Sequence, residues 1–255
     1  MKLQLIRNAT MKLWVGGQCF LLDPYLGEVG SGPSYAGKYH SPLVPLPMTK
    51  EEILAGIDGV ILSHLHSDHF DGAAQAVIPN TTPIYCQPED TEALMSRGFR
   101  SVFPVEKTQQ MTSASMTRLP GQHGSGDVLG DMGTTSGYLF KSEGEPSVYW
   151  LGDSILTDGI QSAILHHQPD VIITHSCGAV WNDGILIIMD DHQTIEVCRI
   201  APKSKVIAVH MEAVDHGTVT RRQLRETAQK NGINSEQLLI PLDGETIKVY
   251  TPLEC

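Results

Sequence analysis

The sequence predicts an α/β fold, with two sheets and helices on their outer faces, packed as one domain over residues 1–255. Three observations predict it. Short apolar, β-branched runs of the kind that form buried strands recur in both halves of the chain. Between them lie helical segments with readable caps. No internal repeat, charge block or low-complexity linker divides the chain, so the strand-rich and helix-alternating parts share one core.

The elements follow in order. Lys2–Ile6, Met11–Val15 and Gln18–Leu22 read as antiparallel strands, with Gly16-Gly17 as a two-residue hairpin turn and Asp23-Pro24 ending the third. Residues 27–47 carry four glycines and four prolines and read as a long connection. Such loops in compact domains are usually functional or disordered, and this one is expected to wall or cover a site. Thr49-Lys50-Glu51-Glu52 is a capping box opening a short helix to Ala55. Strands are expected at 59–62, 83–86, 114–119, 135–141, 147–151, 171–174 and 205–209, with helices at 88–97, 158–168, 191–200 and from 221 to about 230. Asp243-Gly244, between apolar runs at 238–240 and 246–250, reads as a hairpin signal.

Composition narrows the function. The chain has 255 residues, 41% hydrophobic and 18% charged, with a formal net charge of −11. That acidity disfavours nucleic acid or an anionic membrane as main partner, since both need a basic footprint. A small-molecule substrate is expected instead, with homo-oligomerisation open. No apolar stretch reaches the roughly 18 residues that span a bilayer, and Met1–Arg7 lacks the apolar core of a signal peptide. The five cysteines are scattered, odd in number and without a C-x-x-C pair. A reduced, cytoplasmic protein is the expectation.

His64-Leu65-His66-Ser67-Asp68-His69 is the densest run of chemistry. All four polar positions are ligand types for first-row metals, and by this chain's composition such a motif arises by chance in about one sequence in a thousand. It begins where the buried strand at 59–62 ends, which is where open α/β sheets place functional groups. His64 and His66, two apart, point to one side of an extended segment. Asp68 and His69 follow a turn and are free to serve a second ion. A polar loop with solvated histidines is the alternative. Further ligand types follow other strands: His123 between Gly121 and Gly124, Asp153 in Leu151-Gly152-Asp153-Ser154, and His210 after 205–209.

Taken together, H-x-H-x-D-H after a strand, an isolated His, an Asp in Leu-Gly-Asp-Ser and a last His after a strand resemble the metallo-β-lactamase superfamily. The resemblance runs from residue 1 to about 250. It implies a four-layer αββα sandwich with a dinuclear site at one edge. It implies a first ion held by His64, His66 and His123, a second held by Asp68, His69 and His210, and Asp153 bridging them. The stretches 9–14 with 22–25, and 208–213, are similar to small cytosolic hydrolases related to ascorbate-6-phosphate lactonase.

Two divalent ions sharing a water would lower its pKa from near 16 to about 7. Zinc is the first expectation, with manganese or iron as alternatives. The resulting hydroxide would attack a carbonyl or phosphorus, with Asp68 orienting the water or shuttling its proton. The expected function is a dinuclear hydrolase of a small, anionic lactone or ester. A phosphodiesterase or nuclease is the alternative, and a non-enzymatic metal-stabilised binding module a further one. Asp23 and His175 are expected to support the ligands or meet substrate. Asp71 reads as a helix cap, Cys177 as a small buried residue, and His192 and His216 as solvated surface.

Overall fold

The computed structural model describes residues 1–250, so Cys255 and the end of the expected domain lie outside it. Two seven-stranded mixed sheets dominate. The first runs, in spatial order, Thr246–Lys248, Lys2–Arg7, Thr10–Val15, Gln18–Leu22, Gly59–Ile61, Ile84–Cys86 and Val102–Pro104. The second runs Leu238–Leu239, Lys205–Val209, Val171–His175, Val148–Trp150, Ser136–Ser142, Ala114–Pro120 and Thr108–Gln110. A small hairpin pairs Val180–Trp181 with Ile185–Leu186.

Alternation along the strands builds four layers. One face of each sheet meets the other: Leu3, Leu13, Phe20 and Ile61 pack with Phe140, Trp150, Ile173 and Ile207 in one buried cluster. The outer face of the first sheet, with Leu21, Val60 and Ile84, is covered by Ile53, Ala74 and Leu94 of the helices Lys50–Leu54, Gly72–Val77 and Thr91–Ser96. The outer face of the second, with Ile172, Val206 and Ala208, is covered by Ile160, Ile195 and Leu224 of Asp158–His167, Asp191–Ile200 and Arg221–Lys230. Strands apolar on both faces are what helix–sheet–sheet–helix layering requires. Among the described residues no helix is long and apolar enough to cross a membrane.

Local signals account for most elements. Thr49 and Glu52 form the reciprocal capping box, and Asp71, Asp190 and Thr220 accept from backbone N–H groups at their helix starts. Gly16 and Gly17 both take positive φ, as the tight turn between Val15 and Gln18 needs.

The Asp243-Gly244 expectation is overturned. Leu238–Leu239 pairs with Lys205–Val209 in the second sheet, whereas Thr246–Lys248 pairs with Lys2–Arg7 in the first. The turn therefore hands the chain from one sheet to the other. Buried Arg221 fixes the crossing by donating to the Pro241 carbonyl (2.8 Å), Glu212 (2.7 Å) and Asp243. A turn dipeptide specifies a reversal, not which strand the departing chain will join.

Candidate metal centre

The functional side chains gather at one edge of the sandwich, where strands of both sheets end. Ser63 to His69 follow Gly59–Ile61, His123 follows Ala114–Pro120, Asp153 follows Val148–Trp150, and His210 follows Lys205–Val209. Two backbone features set this edge. Gly152 has a φ of +64°, and a Cβ there would sit 2.9 Å from the Ser136 carbonyl oxygen, so the approach to Asp153 needs glycine. His210 itself has a φ of +66°, held by its N–H donating to the Asn8 carbonyl at 3.0 Å. Left-handed backbone in a non-glycine residue is strain of the kind that gathers at functional sites.

The ring nitrogens converge in two groups. In one, ligand atoms of His64, His66 and His123 lie within 4.8 Å of one another. In the other, those of His69, Asp153, His175 and His210 do so. Asp68 Oδ2 belongs beside the second group, 3.3 Å from His210 Nε2 and 3.7 Å from His69 Nε2. Asp153 Oδ2 stands between them, 3.1 Å from His69 Nε2, 3.5 Å from His123 Nε2 and 4.0 Å from His64 Nε2. Bonds of about 2.1 Å around a tetrahedral zinc place neighbouring ligand atoms roughly 3.4 Å apart. The separations of 3.1–3.7 Å among Asp68, His69, His123, Asp153 and His210 lie near that spacing.

Hydrogen bonding on the far side of each ring selects the atom facing inward. Asp23 accepts from His69 Nδ1 at 2.6 Å, leaving Nε2 for the centre. Asp23 also accepts the Ser63 hydroxyl proton at 2.6 Å, so Ser63 Oγ in turn accepts from His64 Nδ1 at 3.0 Å. His64 Nε2 is then a bare lone pair, sealed from solvent and without a hydrogen-bond partner. His123 Nδ1 donates to the Ile187 carbonyl at 2.8 Å. Metal-binding histidines use this kind of outer support. Asp23 is thus placed to orient two of them. Asn8, on the turn between the first two strands, donates to the Asp68 carbonyl at 3.2 Å and lies 3.4 Å from its carboxylate. Its sequence signal was slight, an Asn between two strands; the structure gives it the φ of +58° that Asn tolerates in a turn.

His175 differs from the rest. It is the last residue of its strand, 1% exposed. The Trp150 indole, which is only a donor, gives its proton to His175 Nε2 at 3.0 Å. Nδ1 therefore carries the ring proton and donates to Asp153 Oδ1 at 2.5 Å. Both nitrogens are committed, so His175 holds Asp153 in place and has no lone pair for an ion or reach to a substrate.

Charge separates the two groups. Burial pushes His64 and His66 below the ordinary histidine value and His123 down to about 4. Those three are neutral imidazoles, able to offer lone pairs to an ion. Burial also works against charge on His69, but Asp153, Asp68 and Asp23 outweigh it and lift the ring to about 10. His210 is raised in the same way, chiefly by Asp153. Burial alone would push Asp68 and Asp153 up; the His69 and His210 imidazoles win and hold both well below the carboxylate range.

The Beta-lactamase superfamily domain model matches residues 19–211, about three-quarters of the chain. The chain belongs to the metallo-β-lactamase superfamily. Within it, the chain is 34% identical over 252 residues to UPF0173 protein YddR of Bacillus subtilis, covering 96% of this chain and 99% of that one, and so belongs with the UPF0173 metal-dependent hydrolases. It is 26% identical over 183 residues to a UPF0173 metal-dependent hydrolase of Azorhizobium caulinodans, 68% of this chain and 72% of that one. Among solved structures it is similar to an isothiocyanate hydrolase from Delia radicum gut bacteria, with TM-score 0.93 and 33% identity over 98% of this chain and all of that one. A possible metal-dependent hydrolase of Veillonella parvula gives TM-score 0.93 and 32% identity, over 98% and 99%.

In this superfamily member a cavity of about 200 Å³ opens onto His66, Asp68, His123 and Asp153. Tyr35, Met132, Trp181, Ile187 and His216 wall it, and Asp131 sits among them. The 27–47 loop supplies Tyr35, whose hydroxyl meets Ser67 Oγ at 2.7 Å. Asp215 holds that loop, accepting from Ser34 Oγ at 2.6 Å and from the N–H groups of Tyr35, Ala36, Lys38 and Tyr39 at 2.8–3.2 Å. His216 corrects the surface expectation: it is 6% exposed, packed 4.8 Å from the Tyr35 ring and part of the cavity wall. Nothing in a loop histidine's sequence neighbourhood reveals a partner 181 residues away. His192 is exposed in its helix and stays outside the site.

Proposed function

We propose that the protein is a dinuclear metal-dependent hydrolase of a small, uncharged carbon electrophile. The observation that carries this reading is Asp153 Oδ2 standing within 4.0 Å of nitrogens from both histidine groups. His64, His66 and His123 would hold one ion; Asp68, His69 and His210 the other; Asp153 would touch both. Imidazole donors with carboxylates suit zinc first and manganese or iron next. When bound, such ions supply Lewis acidity and lower the pKa of water to about 7. Asp68 lines the cavity beside Asp153, placed to orient an attacking water. Asp23, Ser63 and His175 keep the ligand set aligned.

The cavity wall argues for an uncharged substrate in place of the anionic one expected from sequence. Tyr35, Met132, Trp181 and Ile187 offer apolar surface, and no described lining residue is Lys or Arg. A phosphorylated lactone or a phosphodiester would want such cations. The similarity to an isothiocyanate hydrolase supports a carbon flanked by heteroatoms; simple lactones and esters share that chemistry. The test is turnover by the zinc-loaded protein of benzyl isothiocyanate, γ-butyrolactone, a thioester and bis-p-nitrophenyl phosphate. Hydrolysis of one of the first three at least tenfold faster than the phosphodiester, lost on chelation and restored by zinc, is expected. Phosphodiester preference, or turnover indifferent to chelation, would contradict it.

A further inference from the structure

Every imidazole of the metal centre has its far nitrogen occupied or its near nitrogen aimed at a ligand group. His216 has neither. It makes no side-chain hydrogen bond among the described residues, yet it walls the same cavity as Asp68 and Asp153. Its backbone is fixed on both sides. The His216 carbonyl accepts from Val180 N at 3.3 Å, Asp215 is bound to the 34–39 loop, and the Thr218 and Val219 N–H groups both donate to the Cys177 carbonyl at 2.8 Å. The ring leans on Tyr35 at an interplanar angle of 41°. A rigid, unspent donor beside a reaction centre is a group kept for a ligand.

The tautomer follows from burial. Nδ1 is sealed from solvent without a partner. A proton there would be an orphaned buried donor, which costs more than a bare lone pair. The proton therefore sits on Nε2, the nitrogen left to reach the cavity. Burial also lowers the affinity of the ring for a second proton.

We infer that His216 is a substrate-binding residue, donating a hydrogen bond from Nε2 to the heteroatom attached to the reacting carbon. This rests on the hydrolase reading above. As that carbon is attacked, electron density moves onto the heteroatom and the hydrogen bond strengthens; the proton stays on His216. A fixed donor aimed at developing charge acts mainly on kcat. The substrate it fits is an acceptor: the nitrogen or sulfur of an isothiocyanate, or the carbonyl oxygen of a lactone.

Three variants and one spectrum test this. His216→Phe keeps a ring against Tyr35 and removes the donor; His216→Gln restores a donor. With benzyl isothiocyanate and γ-butyrolactone as probes, H216F is expected to lose about 10²–10³-fold in kcat on the substrate turned over. Its KM should change less than threefold, with metal content equal to the parent's. H216Q should recover at least tenfold over H216F. His216→Ala should resemble H216F in kcat. Nitrogen-15 spectra of the zinc-loaded parent, with His216 assigned by its loss in H216Q, should show Nε2 protonated. H216F within threefold of the parent kcat, metal loss in H216F, or a parent protonated at Nδ1 would each overturn the inference. If H216F does not fold, H216Q and the tautomer decide. A parent inactive on the whole panel overturns the hydrolase reading instead, and this inference with it, a failure distinguishable from an active parent matched by H216F.

Discussion

His64 shows how a single side chain is prepared. Its outer nitrogen closes a chain through Ser63 to Asp23, and its inner nitrogen is left bare in a sealed space. Without an ion such a lone pair costs free energy; with one it is a ligand. The same logic sets the response to pH. His69 is raised to about 10 in the folded, metal-free protein. The raised value stabilises that protein fully below the unfolded histidine pKa, and the stabilisation fades as pH climbs through about 10. An ion binding the second group must displace the protons of His69 and His210. Zinc titration near pH 7.5, followed calorimetrically in buffers of different ionisation enthalpy, should report proton release for the second ion. The first ion should release almost none, because His64, His66 and His123 are already neutral. His175 offers a sharper check. His175→Phe should weaken zinc binding by about 10–100-fold, the effect of losing an outer partner, without removing any ligand. A competition titration against a chelator measures it. The candidate ligands were legible in the sequence because their residue types are rare in such a cluster and each follows a strand. Asn8, Ser63 and His216 were not: Asn, Ser and a loop His are ordinary in turns, and only the tertiary fold brings them to the edge.

Strands and loops divide the labour. Strand ends from both sheets carry the candidate ligands, while the 27–47 loop contributes Tyr35 to the cavity wall. That loop has little regular structure, and Asp215 replaces it by gathering five donors. Those donors outweigh its burial and hold its carboxyl well below the ordinary range. The stability this carboxylate adds is full above the unfolded carboxylate pKa and is lost as pH falls through the lower folded value. Asp215→Ala should expose residues 34–39 to proteolysis and raise KM, with metal content unchanged. Limited digestion and steady-state kinetics check both halves. Caps and alternating apolar runs made most helices and strands readable. The exception was the chain around Asp243-Gly244, where short flanking runs fit a hairpin as well as a crossing. The crossing is chosen by Arg221, one residue holding Glu212, Pro241 and Asp243 together. Arg221→Ala, which removes three hydrogen bonds and leaves two partly exposed acids to be hydrated, should cost about 1–3 kcal/mol, read from the urea midpoint.

The molecule as a whole is two sheets clamped between helices, with one edge left for chemistry. The apolar layers were legible because strands buried on both faces have no other home. The choice of substrate was not, because the wall is assembled from the 27–47 loop, Met132, the small Val180–Leu186 hairpin and His216, which are distant in sequence. The interior explains why the acidic chain tolerates so many buried ionisable groups at one edge: carboxylates and imidazoles balance there until ions replace protons. Metal binding should therefore stabilise the fold as well as arm it. The most direct measurement is metal content per chain, by elemental analysis of protein reconstituted with zinc, alongside hydrolysis of the same samples. Two ions per chain are expected, with Asp153→Ala losing both tight binding and turnover, and His64→Ala retaining at most one ion. A protein that hydrolyses with no metal, or whose zinc and turnover survive His64→Ala unchanged, would contradict it.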